Sequence, residues 1–228
     1  LAPLINLVRV ECPELLDNVE YMNFRDKFKA TPQGPCIDGL PNAFISGLKA
    51  VDKWEDGSIP ATWGSEYVAV FDSGTTLARA AYWWAKGLQG AHTFPEGVPL
   101  KGVDPRQFYH TAQQALLNLV TYITDENFRT NVVYIAHINW LERDGLLQGF
   151  PRAIGSAICD EIPSYFPSVI QATKSGSGNN IKRIIRIAST NLVDLKNPYA
   201  FDMLPEISME DGLAKFFGLG GEAERSRQ

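Results

Sequence analysis

Two short, nearly unbroken apolar runs, Tyr67–Phe71 (YVAVF) and Asn131–Ala136 (NVVYIA), place the tightest limit on how this chain can fold. Both are rich in β-branched residues, and neither alternates cleanly between apolar and polar. That is the pattern of strands buried on both faces of a parallel sheet. Parallel neighbours cannot be joined by a tight turn; the chain between them must cross over, usually as helix. The intervening sequence supplies two helices. Thr75–Leu88 has Ala-rich turns and three aromatics, Tyr82, Trp83 and Trp84. Pro105–Asp125 opens with Pro and then sets Phe108, Ala112, Ala115, Leu116, Leu119, Val120 and Ile123 on one side. Gly87–Gly102 separates them as a Gly/Pro loop.

Upstream, Val19–Asn23 alternates as a short strand would, and Lys29–Pro41, with three Pro and two Gly, reads as a loop. Asn42–Trp54 carries Phe44, Ile45, Leu48, Val51 and Trp54 at helical spacing, and Glu55–Gly64 is a further loop. Downstream, Gly145–Ser156 has three Gly, one Pro and one Arg, the composition of a ligand loop and equally of an ordinary one. Ser168–Ala172 and Ile181–Ala188 are strand candidates on either side of the turn Lys174–Asn180. Met209–Phe217 should be a short helix. Helices alternate with strands first and strands follow one another later, which favours an α/β sheet with parallel central strands and a late antiparallel addition. One core over residues 1–218 and a flexible tail over 219–228 are expected.

At 228 residues, 45% hydrophobic and 21% charged, the chain can bury a sizeable core. A net charge of −5 argues against nonspecific nucleic-acid binding over the whole surface, while leaving room for a local basic patch. Three cysteines, Cys12, Cys36 and Cys159, are odd in number and not in metal spacing, which suits a reducing, cytoplasmic setting. No apolar run reaches the roughly 18 residues of a membrane span. The first residue is Leu, so the sequence reads as processed or as a fragment.

Asp72 stands just past the first apolar run, where open α/β sheets place their ligands. An acid there can hold a hydrated Mg²⁺, an ion that prefers oxygen ligands and keeps several waters. Ser73, Thr75 and Thr76 add hydroxyls at the mouth of the next turn. The competing reading makes Asp72 the cap of the helix that follows. Asp72-Ser-Gly-Thr75 also matches the core of the aspartic-protease motif, but that chemistry needs two carboxylates sharing a proton. No second copy occurs, and the helical LARAAYWWAKGL does not suit an all-β protease. His137 ends the second run and could sense a γ-phosphate or orient water; a loop-bonded imidazole is the plain alternative. His92 and His110 have no metal-ligand spacing around them. Lys174, Lys182, Arg183 and Arg186 form a basic cluster. On a strand, Lys182 and Arg186 share one face and Arg183 takes the other. Such cations suit a phosphate, of nucleotide on a neighbouring subunit or of a DNA backbone, or else defend an edge strand. The five Trp residues read as core or subunit interface. The phosphate loop G-x-x-x-x-G-K-[ST] is absent from the sequence, so this chain alone should not be a competent ATPase.

In order along the chain, VAVFDSGTTLARA, a long helix, VVYIAHINW, GFPRAIGSAICDEIPSYFPSVIQA, IKRIIRIAS and FDMLPEISMEDGLAKFFG resemble phage-encoded RecA-like P-loop nucleotide-binding proteins of the single-strand-annealing recombination ATPase type. The likeness spans roughly residues 4–218. It implies a mainly parallel RecA-like α/β sheet flanked by helices and N-terminally incomplete, with the phosphate loop and first strand ahead of Leu1. It implies ATP and Mg²⁺ as cofactors, with Asp72 as the metal-holding acid and Ser73 as its neighbour in the nucleotide site. His137 would be the catalytic sensor, and Lys182 and Arg183 would contact nucleotide across a ring or filament of identical subunits. The implied role is in phage DNA recombination or replication, in the host cytoplasm, with single-stranded DNA as a partner. A non-catalytic assembly protein retaining that core is the alternative. One departure is Gly74, which stands where the pattern calls for a bulky apolar residue and should loosen the helix start.

Overall fold

The structure is a computed structural model that describes residues 13–95, 104–143, 145–177, 180–198, 204–209 and 212. The chain divides into two compact units, residues 1–137 with 152–159, and residues 138–151 with 160–228.

In the first unit, β1 (Phe28–Lys29) pairs antiparallel with β2 (Cys36–Ile37), and all of the pair but Phe28 lies in the segment expected to be loop. Helix α1 (Ala43–Asp52) buries Ala43, Phe44 and Ala50. Its first amides are held from a distance, because Asp26 Oδ1 accepts from the N–H groups of Asn42 at 2.8 Å and Ala43 at 3.0 Å. A carboxylate at a helix N-terminus both satisfies orphan donors and complements the helix dipole. Strand β3 (Val68–Asp72) leads into α2 (Gly74–Leu88), and α3 (Pro105–Ile123) leads into β4 (Asn131–Ile135). The two helices pack together, with Phe108, Leu116 and Val120 of α3 almost wholly buried. Asp104 caps α3, its Oδ1 accepting from the Arg106 N–H at 3.0 Å, and Pro105 fills the first helical position. β3 and β4 run parallel in the register Val68↔Asn131 to Asp72↔Ile135. The entry to β4 is fastened by the buried Thr130 hydroxyl, which donates to the Pro60 carbonyl at 2.6 Å, and by Asn131 Nδ2, which donates to the Ser65 carbonyl at 2.6 Å.

The second unit is antiparallel. Strands β5 (Ile138–Arg143) and β6 (Leu146–Pro151) form a hairpin. A short helix, α4 (Ile162–Tyr165), precedes a three-stranded sheet of β7 (Gln171–Ser175), β8 (Lys182–Arg186) and β9 (Glu206–Ser208), in that order. Ile162, Ile185, Ile187, Val193 and Leu195 are its buried apolar residues.

This architecture overturns the expected RecA-like parallel sheet. Among the described residues the sheets hold two or three strands each, and β3–β4 is the one parallel pair. The physical reason lies in the connections. The β3-to-β4 link holds two long helices and allows a crossover, whereas two residues separate β5 from β6 and six separate β7 from β8, too few for one, so those pairs are antiparallel. Burial on both faces of the first apolar run also fails: Val68 and Val70 are 39% and 57% exposed, because one face of the pair carries no covering layer among the described residues. Val19–Asn23 is not a strand, and Leu146–Pro151, expected as loop, is one. Most of Met209–Phe217 and the whole of 219–228 lie outside the described residues.

Candidate functional site

The β3–β4 pair brings its carboxyl ends to one edge, and α2 begins there. Asp72, the last residue of β3, is exposed and has no ion-pair partner among the described residues. It is not the cap of α2; that position belongs to Ser73, whose Oγ accepts from the Thr76 N–H at 3.3 Å. The Thr76 hydroxyl answers by accepting from the Ser73 N–H at 3.3 Å, completing a capping box. Ser73 is therefore engaged in holding the helix start, and Asp72 is left available. The Asp72–Ser73 peptide is cis.

Gly74 has a role that composition could not show. A Cβ built there would overlap the ring and hydroxyl of Tyr134 on β4, so the space that a bulky apolar residue at position 74 would take is filled from the neighbouring strand. Burial pushes the Tyr134 phenol well above its ordinary range, since the phenolate would lose its hydration in that packing.

Thr75 ties the edge together. Its Oγ1 accepts from the His137 backbone N–H at 3.0 Å and donates to the Arg152 carbonyl at 3.3 Å. The Arg152 N–H in turn donates to the His137 carbonyl at 2.7 Å. His137 stands two residues past Ile135, the register partner of Asp72. With a strand spacing near 4.8 Å and 3.3 Å per extended residue, the Asp72 and His137 α-carbons are on the order of 8 Å apart. His137 is exposed, as is Arg152, whose guanidinium takes no ion-pair partner among the described residues.

Asp72, Ser73 and His137 thus meet at one edge, joined by Thr75 and Arg152. Lys182 and Arg183 do not join them within the first unit; both lie on β8 of the second. Arg152 was not singled out from the sequence, and the available signal was weak: a single cation in a Gly/Pro-rich stretch. Asp72 is the one carboxylate described at this edge that could ligate a hydrated cation, whose remaining positions would go to waters or a ligand. No group of three or more His, Cys, Asp or Glu gathers among the described residues, so an all-protein cage is not what this edge offers. Among those residues no helix is long and apolar enough to cross a membrane.

No family model matches the chain, and neither a curated protein nor a solved structure shows significant similarity to it.

Proposed function

We propose that the carboxyl edge of β3–β4 binds the phosphates of a nucleotide, ATP in the first instance, through a hydrated Mg²⁺ held by Asp72. The observation that carries this reading is the pairing of an unpartnered carboxylate, Asp72, with an unpartnered guanidinium, Arg152, on one backbone-pinned edge. A metal-bound phosphate needs both signs of charge: an oxygen ligand for the ion, and a forked donor for the remaining phosphate oxygens. His137 stands beside them, where an imidazole can hydrogen-bond a terminal phosphate or a water. The chain has no phosphate loop in its sequence, so it binds nucleotide without turning it over. The resemblance to phage recombination ATPases supplies the setting, a DNA-handling protein that works as an assembly of identical subunits in the host cytoplasm.

The test is thermal unfolding with ATP and Mg²⁺, with ATP and chelator, and with Mg²⁺ alone. A ligand at 100 times its Kd stabilises by about 2.7 kcal/mol. The magnesium-dependent part of the shift should vanish in Asp72→Asn, and the nucleotide shift should weaken in Arg152→Ala. The absence of any shift at millimolar ATP and Mg²⁺ would overturn the proposal.

One observation favours the second reading, a non-catalytic assembly protein. Tyr67, Val68, Val70 and Ile135 leave the β3–β4 pair with exposed apolar side chains. On that reading Val70→Glu would lower the oligomer mass in sedimentation and nucleotide would have no effect on stability.

A further inference from the structure

The hairpin of β7 and β8 carries four cations, and the structure separates them into two kinds. At its base, where β9 adds a third strand along Ile184–Arg186, Arg186 is neutralised by Glu206 at 2.7 Å. Beyond Ile184 the ladder is two-stranded among the described residues, and its cations meet no carboxylate there. Lys174 and Arg183 are direct register partners across the ladder, so both project from one face. Lys182 faces the other way beside its own partner, Ser175. All three are exposed, and none has an ion-pair partner among the described residues. Just past β7, Gly176 has φ 93°, and a Cβ there would overlap the Asn180 carbonyl.

Like charges placed directly opposite on a sheet destabilise it. In a chain whose net charge is −5, with carboxylates plentiful elsewhere, this arrangement is costly to keep and makes sense when a polyanion lies against it. One further feature chooses among polyanions. The cations occupy both faces of the ribbon, whereas a flat anionic surface such as a membrane would engage one. A duplex major groove, about 12 Å wide, admits a two-stranded β-ribbon and presents phosphates on both of its walls.

We infer that the β7–β8 ribbon docks into the major groove of duplex DNA, with Lys174 and Arg183 contacting the phosphates of one wall and Lys182 those of the other. The contacts are to the backbone, so binding is independent of sequence and steeply dependent on salt. This inference does not rest on the nucleotide reading.

Fluorescence anisotropy of a short labelled duplex, titrated with the full chain between about 50 and 200 mM salt, tests it. Binding should weaken with salt at about 0.9 log units per log unit for each phosphate neutralised. The double variant K174A/R183A should flatten that slope by about 1.8, whereas Lys49→Ala with Lys53→Ala, an equal charge change on and just after α1, should leave it unchanged. Arg183→Lys should preserve the slope, and the thermal midpoint of K174A/R183A should equal or exceed that of the parent, since the variant removes a like-charge pair. The inference is overturned if the duplex is not bound at the lowest salt, or if K174A/R183A keeps the parental slope. Preferential binding of the single strand, or of phosphatidylserine vesicles, over the duplex would overturn it equally.

Discussion

Gly74→Ala adds one methyl group at the first residue of α2, and the structure fixes what that methyl meets. The new Cβ overlaps Cζ, Oη and Cε1 of Tyr134. Gly74 is itself buried, and its φ is not in the left-handed region, so the backbone would accept alanine without strain. Alanine is also the better helix former, by about 0.8–1 kcal/mol in a helix interior and by less at the first turn. The sign of the effect therefore depends on whether the ring can move. Tyr134 sits centrally in β4 with its phenol buried, and its neighbour across the ladder is Phe71, with ring centroids 6.5 Å apart. Forcing methyl groups into packed sites costs about 1–3 kcal/mol. A net loss of about 1–2 kcal/mol follows, each kcal/mol lowering the thermal midpoint by about 2–4 °C for a protein of this size.

Thermal or urea unfolding of Gly74→Ala, Tyr134→Leu and the double variant separates the overlap from other effects. Removing the ring removes the obstacle, so Gly74→Ala should cost little or nothing in the Tyr134→Leu background, a coupling of about 1–2 kcal/mol. A midpoint for Gly74→Ala equal to or above that of the parent would refute the packing argument. So would a cost that persists undiminished without the ring. Because Asp72 is two residues upstream, Gly74→Ala should also weaken the ATP- and Mg²⁺-dependent stabilisation.

Ser73→Ala removes the cap of α2 and should cost about 1 kcal/mol, within the 0.5–2 kcal/mol range of such caps; an unchanged urea midpoint would refute its contribution. Thr75→Val keeps the shape but deletes the hydroxyl shared by His137 and Arg152, so the His137 amide should exchange its hydrogen faster, while unaltered protection would show the tie to be idle. Tyr134 has a phenol pKa raised by burial, so the folded state retains the proton where the unfolded chain gives it up. Stability from this group is complete below the unfolded value near 10 and declines as pH climbs above it. The decline in stability above that value, read by urea unfolding, should accordingly be smaller in Tyr134→Phe. Asp72→Asn should leave the salt slope of duplex binding intact, and K174A/R183A should leave the ATP·Mg²⁺ shift intact, since the residues concerned belong to different units.

The three long helices were legible because their apolar spacing repeats over several turns and Pro105 marks the start of one, whereas the cap of α2 proved to be Ser73 and not the expected Asp72. The observed spans, Ala43–Asp52, Gly74–Leu88 and Pro105–Ile123, fall within one or two residues of the expected ones. The parallel adjacency of β3 and β4 followed from the length of the crossover. What failed was inference from apolar runs to the number of strands around them. A run such as VAVF states that its residues avoid water, not how many neighbours provide the shelter. Asp144-Gly145 between two apolar stretches is a recognised hairpin signal, yet the Gly and Pro of the same segment made it read as loop. Val19–Asn23 shows the reverse error, since alternation without a pairing strand does not make a sheet.

For the candidate site, strand ends were the informative feature. Asp72 and His137 each terminate an apolar run, and a parallel register necessarily carries both to the same edge. Arg152 was invisible for a topological reason. The hairpin register that pairs Ile138 with Pro151 makes His137 and Arg152 its flanking residues, so the Arg152 backbone is brought to the edge by pairing that no local motif encodes. The basic strand illustrates the same principle with the opposite outcome. Parity along one strand grouped Lys182 with Arg186, but the register assigned Arg186 to Glu206 and gave Arg183 a second cation, Lys174, as its neighbour. Charge on one strand acquires meaning only from the strand beside it, and that partner set Lys174 next to Arg183 on one face and left Lys182 on the other.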